Sequence, residues 1–376
     1  MSAAVWTKRI INAPRVLAKM GVRGYAQHAA RRIGEELAQN TNFTHVFVKP
    51  RVVHIEPTVR CNLKCVHCDV TYWDRMCPDL TFDGFRHIID QMPDLNRVIM
   101  HGMGEPLLNK DIYRMVEYAS KERNLKTIMS SNGIPIDEPN ARKLIANGLQ
   151  VLSISVDGAT KETYEKIRVR GNFDRLIRNI KRLIELKKEM NSKTPWIYFS
   201  MVCMKDNIRE FLKLIELAKD LGVAAVQPQY MHFWGKDENT LVKVHGVNIK
   251  DEIYGKQNLF DNVPKDEMAE IRRMADLKAD ELGVQLIRPF FEWDGSDHTV
   301  CHVPWVDVYI TADGYAIPCP IQGTDPRLVN FGNLFEKSFD KIWNGPLYKD
   351  FRRRLVSDDP HPVCKDCVYR IRSWRV

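Results

Sequence analysis

The stretch that most constrains this chain is Cys61-Asn62-Leu63-Lys64-Cys65-Val66-His67-Cys68, where three cysteines fall within eight residues. An apolar run, Val52-Val53-His54-Ile55, leads into it and reads as a buried strand. The thiols therefore belong to the loop at that strand's C-terminal end. A mononuclear zinc site ordinarily takes four ligands, and no fourth cysteine or histidine at zinc-finger spacing completes this group. Three thiolates on one loop instead suit three irons of a cubane cluster, which leaves the fourth iron open to a substrate or cofactor.

The strand before the cysteines is the first of a series. Apolar strand-like runs occur at 52–56, 97–101, 126–131, 151–156, 196–203 and 224–229, and helical patterns fall between them at 82–92, 111–122, 140–147, 173–190 and 207–221. Such alternation implies an α/β fold, a parallel sheet with helices outside it. Six units suit a partial (β/α)6 barrel, whose chemistry belongs at the C-terminal ends of the strands. The second run ends in His101-Gly102-Met103-Gly104-Glu105-Pro106, the third in Ser130-Ser131-Asn132-Gly133, and the fourth in Ser155-Val156-Asp157-Gly158, with Tyr164, Ile167 and Arg168 downstream. Glycines let a backbone approach a ligand closely. A carboxylate such as Glu105 accepts bonds from an ammonium, and an arginine matches a carboxylate geometrically. Asp157 is expected to cap the turn that follows it.

A second cysteine group, Cys301, Cys319, Cys364 and Cys367, closes the chain. Asp313-Gly314 lies between two strand-like runs, 306–310 and 315–318, and signals a hairpin that brings Cys301 and Cys319 together. A helix over 342–355 leads to the final C-x2-C. Four such ligands suit zinc or an iron–sulfur cluster, and spacing alone does not choose between them.

Taken together, these residues resemble the radical S-adenosylmethionine (SAM) superfamily over roughly residues 50–370. The resemblance implies that Cys61, Cys65 and Cys68 hold a 4Fe-4S cluster whose open iron is chelated by SAM. His67 stands where the family usually carries an aromatic residue beside the cofactor. Gly104 and Glu105 occupy the segment that receives the SAM amino group, although Met103 replaces its first glycine. Asn132, with Ser131, matches the residue that meets the ribose hydroxyls, and Ser155 and Arg168 match those that hold the SAM carboxylate. The C-terminal group resembles a SPASM domain in its shortened twitch form. There Cys301, Cys319, Cys364 and Cys367 would ligate one auxiliary 4Fe-4S cluster, with Gly332-Asn333 and Ile342-Trp343-Asn344 as accompanying positions. An electron donor such as flavodoxin or ferredoxin is implied as well.

The expected organisation is a basic helical extension over 1–50, the radical SAM barrel over 51–230, a connection over 231–290 and the auxiliary domain over 291–376. Residues 8–32 are basic and suit either an arm packed on the barrel or peripheral contact with an anionic membrane surface. They show no hairpin pattern of a peptide-leader-binding wing. The net charge of +8 is compatible with an anionic ligand, while dispersed basic residues and the lack of a recognition motif argue against nucleic acid. Neither a membrane span nor a secretory signal is evident. The cysteines are grouped for clusters rather than spaced as a disulfide framework, so a cytoplasmic, reducing location is expected.

The implied activity is reductive cleavage of SAM to a 5′-deoxyadenosyl radical, which takes hydrogen from a substrate carbon. The first reading is oxidation or epimerisation of a small molecule such as a sugar or aminocyclitol. A peptide maturase, a lipid-modifying enzyme and a zinc-binding or electron-transfer protein are the alternatives. Tyr230, His232, Glu292, Asp294, Asp297 and His298 are candidate bases by position alone. Cys203 continues an apolar strand and reads as packing, and Cys77 is a leftover thiol of unassigned role.

Overall fold

The computed structural model describes residues 44–72, 74–231, 253–287, 301, 303–320, 325–365 and 367. The basic stretch 8–32 and the base candidates His232, Glu292, Asp294, Asp297 and His298 lie outside the described residues.

The strands are β1 (Val52–Ile55), β2 (Lys64–Cys65), β3 (Arg97–Met100), β4 (Lys126–Ser131), β5 (Val151–Ser155), β6 (Arg168–Val169), β7 (Trp196–Cys203), β8 (Ala225–Tyr230), β9 (Gln285–Leu286), β10 (Asp307–Ile310) and β11 (Ala316–Ile317). Nine of them form one sheet in the order β11-β10-β1-β3-β4-β5-β7-β8-β9. Its six central strands, β1 to β8 without the short β2 and β6, are mutually parallel and coincide with the six apolar runs of the sequence. Parallel strands buried on both faces read as such runs because neither side meets water.

Helices cover the outside. The one over Phe82–Asp90 starts at Thr81, whose hydroxyl accepts from the Gly84 amide at 3.1 Å. The one over Phe173–Glu189 buries Leu176, Ile180, Leu183 and Leu186 on one face, at the spacing a helix needs to lie on a sheet. A short helix over Lys161–Ile167, not evident in the sequence, delivers Arg168. The helix expected over 342–355 is two helices, Phe339–Trp343 and Pro346–Leu355. Pro346 starts the second because a first-turn position needs no amide hydrogen.

The C-terminal hairpin is built into the barrel sheet. Strand β10 pairs in parallel with β1, from Val52 opposite Asp307 to Ile55 opposite Ile310. Without it β1 would be an open edge beside the cluster loop. Gly314, at φ +90°, makes the turn. Asn333 clamps that turn by donating to the Asp313 carbonyl at 2.8 Å and accepting from the Phe335 amide at 2.8 Å. Asn344 exchanges two backbone bonds with Val46, both 2.9 Å, and the Trp343 indole donates to the Val48 carbonyl at 3.0 Å. Arg352, fully buried, lies over the rings of Trp343 and Tyr348 and donates to the carbonyls of Pro304, Thr44 and Trp343.

The joint between hairpin and barrel is ionic. Glu56, with no exposed surface, follows β1. One of its oxygens accepts from Arg75 at 3.2 Å, from the Met103 amide at 3.3 Å and from the Tyr309 hydroxyl at 3.3 Å. The other lies 2.9 Å from Arg75 and accepts from the Ala312 amide at 3.1 Å. Arg75 also donates to Asp313 at 3.0 Å. Arg75→Met would leave Glu56 buried without its cation, at a cost of about 3–5 kcal/mol. Chemical denaturation should show that loss, and the double variant Glu56→Gln/Arg75→Met should regain part of it.

Candidate active site

The cluster loop is fixed from below and from both sides. Below it, Gly104 packs so closely that an added Cβ would lie 2.3 Å from the Thr58 carbonyl oxygen, and the Glu105 amide donates to the Arg60 carbonyl at 2.8 Å. On one side Asn132 donates to Asn62 at 2.9 Å and reaches the Cys61 sulfur at 4.0 Å. On the other, β2 and β6 form a two-residue antiparallel ladder with Cys65 opposite Arg168. Val66 packs there against Ile167, Met204 and Met231.

Glu105 is buried at the C-terminal side of β3. It accepts from the Ser131 hydroxyl at 2.8 Å, the Asn132 amide at 2.7 Å and the Leu107 amide at 3.2 Å. Burial raises its pKa, against the pull of those bonds. The carboxylate therefore sets the conformation of the Ser131-Asn132 loop. Ser155 is the last residue of β5, in register with Ser200 and half-buried.

Asp157 is not the turn cap expected of it. Its Oδ1 accepts from the Val202 amide at 2.8 Å, and its Oδ2 lies 2.7 Å from Arg168 and 3.6 Å from His67 Nε2. It has no exposed surface, so the neighbouring guanidinium outcompetes the local turn for it. The Arg168 Nη1 donates to the Cys65 sulfur at 3.8 Å. Burial opposes the charge on Arg168, but Asp157 and Cys65 more than offset it. Burial lowers the pKa of His67, Asp157 opposing, and pushes the Cys65 thiol up to about 11.

This polar knot has unmet capacity. Among the described residues, His67 Nδ1, Arg168 Nε and the Tyr164 hydroxyl are buried without a hydrogen-bond partner. Buried polar atoms are nearly always satisfied, so these three beside three thiols suit a polar group added at this point. Among the described residues, no three His, Cys, Asp or Glu side chains converge as they would on a single ion. A cubane instead spreads its thiolates over separate irons. The donor set thus fits a 4Fe-4S cluster with SAM beside it.

In the C-terminal group, burial pushes the Cys301 thiol up to about 11. Cys364 and Cys367 are joined by a turn, the Cys367 amide meeting the Cys364 carbonyl at 3.3 Å. Of the remaining candidates, Tyr230 ends β8 against Phe260, with ring centroids 5.2 Å apart. Cys203 is buried in the core. The Arg75 guanidinium lies 3.8 Å from Cys77, whose thiol burial pushes up to about 12. The sequence reading missed Glu56, Arg75 and the paired role of Asp157.

A partial parallel barrel, with a thiol loop after its first strand and a cysteine-bearing hairpin on that strand's edge, defines an iron–sulfur enzyme of the α/β barrel class. The chain belongs to the radical SAM superfamily, whose model matches residues 55–218, and an iron-sulfur cluster-binding SPASM domain matches residues 301–368. It is 32% identical over 334 residues to the AdoMet-dependent heme synthase of Methanosarcina barkeri (strain Fusaro), across 85% of this chain and 89% of that one. It is 24% identical to the PqqA peptide cyclase of Gluconobacter oxydans, across 86% and 84%. SuiB of Streptococcus suis bound to SAM shares the fold, with a TM-score of 0.63 and 15% identity, across 98% of this chain and 84% of that one. The protein accordingly uses SAM, a 4Fe-4S cluster and auxiliary iron–sulfur chemistry. Among the described residues, no helix is long and apolar enough to cross a membrane.

Glu105→Gln replaces one accepting oxygen with a donor that faces amide and hydroxyl donors. Such a loss costs about 1–3 kcal/mol, so the affinity of the reconstituted protein for SAM should fall about tenfold or more. Equilibrium dialysis measures this, and an unchanged affinity would remove Glu105 from the site.

Proposed function

We propose that the protein oxidises a small molecule, which gives up a hydrogen atom from one of its carbons to the SAM-derived radical, a proton to water and an electron to the auxiliary cluster. The observation that carries this reading is the in-register pairing of β10 with β1. It mounts the hairpin of the auxiliary cysteines on the strand that carries the cluster loop, and an electron acceptor works best held close and rigid.

When bound, the cluster and SAM supply one-electron cleavage of the sulfonium and a carbon radical that abstracts hydrogen. The chain's own residues do the rest. Cys61, Cys65 and Cys68 would hold the cluster, and Glu105, Ser131, Asn132, Ser155 and Arg168 would hold SAM. Asp157 positions Arg168 from behind. Cys301, Cys319, Cys364 and Cys367 would hold the auxiliary cluster. The task of the barrel is to keep SAM and substrate at near-attack distance and to exclude water.

Epimerisation is the second reading, and Cys77 is its motivation. A thiol held protonated beside Arg75 has the chemistry of a hydrogen-atom donor. The alignment with a heme synthase along most of both chains favours a small molecule, whereas that with a peptide cyclase is weaker in identity.

The anaerobically reconstituted protein should be incubated with SAM, dithionite and metabolite extract. The expected product is a metabolite lighter by a pair of hydrogens, formed alongside 5′-deoxyadenosine. Cys319→Ala should lose that product while 5′-deoxyadenosine still forms. A product of unchanged mass that gains deuterium in heavy water, and that disappears in Cys77→Ala, would establish epimerisation instead.

A further inference from the structure

A cavity of about 400 Å³ opens beside the cluster loop, with Cys61 in its wall. That lies within the range of small-molecule sites, roughly 300–1,000 Å³. None of Glu105, Ser131, Asn132, Ser155 or Arg168 lines it, whereas Met103, from the segment expected to receive the SAM amino group, does, so it adjoins the proposed SAM site. Its charged lining, among the described residues, is wholly cationic: Arg60, Lys64 and Arg75. Apolar wall is supplied by Val70, Met76 and Met103 among others.

The three cations differ. Arg60 is paired with Asp79, and Arg75 with Glu56 and Asp313. Those acids are not in the lining. Lys64 has no acidic partner among the described residues. It is held on β2 by the register that sets Lys64 opposite Val169, one residue before Cys65. A cation whose backbone is held by strand pairing at the wall of a partly apolar cavity has a definite complement: an anion on an otherwise apolar body.

We propose that this cavity binds the acid group of the substrate, with Lys64 as its charge partner, and that the substrate is a small molecule bearing a carboxylate or phosphate. The assignment rests on the proposed small-molecule oxidation and names its substrate class. Arg60 and Arg75, already neutralised, offer hydrogen-bond donors rather than net charge. The apolar wall takes the carbon skeleton from which hydrogen is removed.

The rim of the cavity supplies a test that leaves the cluster loop untouched. Met76 is 78% exposed, so a charge placed there need not disturb the fold. The full-length protein, reconstituted anaerobically, is given SAM, dithionite and a small-molecule extract from cells of origin grown on deuterated medium. The extract is first split on an anion exchanger, and deuterium in 5′-deoxyadenosine is read by mass spectrometry. Deuterium should come from the retained, anionic fraction. Met76→Glu should lower the transfer and Met76→Lys raise it, each by about threefold at low salt, with the gap closing as ionic strength rises. Lys64→Met should lower it further at unchanged iron content, and Lys64→Arg should restore part. Phosphatase treatment of the fraction tells a phosphate from a carboxylate. Deuterium from the unretained fraction, or equal effects of the two Met76 variants, would overturn the proposal. Deuterium arriving only when the polypeptide fraction of the same cells replaces the small-molecule extract would overturn the small-molecule reading itself.

Discussion

The structure depends on a carboxylate that water cannot reach. Glu56 has no exposed surface, and burying such a charge is costly unless it is paired and fully hydrogen-bonded. Its partners come from four separate places: Arg75 after the cluster loop, Met103 after β3, Tyr309 on β10 and Ala312 at the hairpin turn. Meeting that one requirement draws the cluster loop, the loop proposed to receive SAM and the auxiliary hairpin to a common point. The parallel ladder of β1 and β10 then fixes their register.

Much of this was legible in the sequence, for physical reasons. The six barrel strands showed as apolar runs because they are buried on both faces. The strand-end loops showed through cysteines and glycines, whose chemistry is local. The Gly332-Asn333 and Ile342-Trp343-Asn344 positions, known at first only through resemblance, have a physical role as backbone clamps. What was hidden was long-range. The Glu56 and Ala312 partners lie 256 positions apart, and nothing near either announces the other. Asp157 looked like a turn residue because its neighbour is Gly158, while its partner Arg168 was assigned to a cofactor alone. The β2–β6 ladder is two residues long, too short to leave a pattern, yet it positions Cys65, Arg168 and Lys64 together.

Glycines, buried polar atoms and thiols around the cluster loop are requirements of the cofactor. The cavity wall of Lys64, Val70 and Met76 is proposed to answer to the substrate. Proteins named for heme synthesis and for peptide cyclisation align with most of this chain. Class therefore follows from the barrel, while the substrate is proposed to follow from the few side chains that face the cavity.

The central claim is that one chain mounts two iron–sulfur clusters on the two ends of a single joint. Iron and acid-labile sulfide per chain, measured after anaerobic reconstitution, test it most directly. The account expects about eight irons in the native protein and about four when Cys61, Cys65 and Cys68 are all replaced by alanine, since each cubane holds about four. About four irons in the native protein, falling to none in that variant, would contradict it, because the C-terminal cysteines would then carry no cluster.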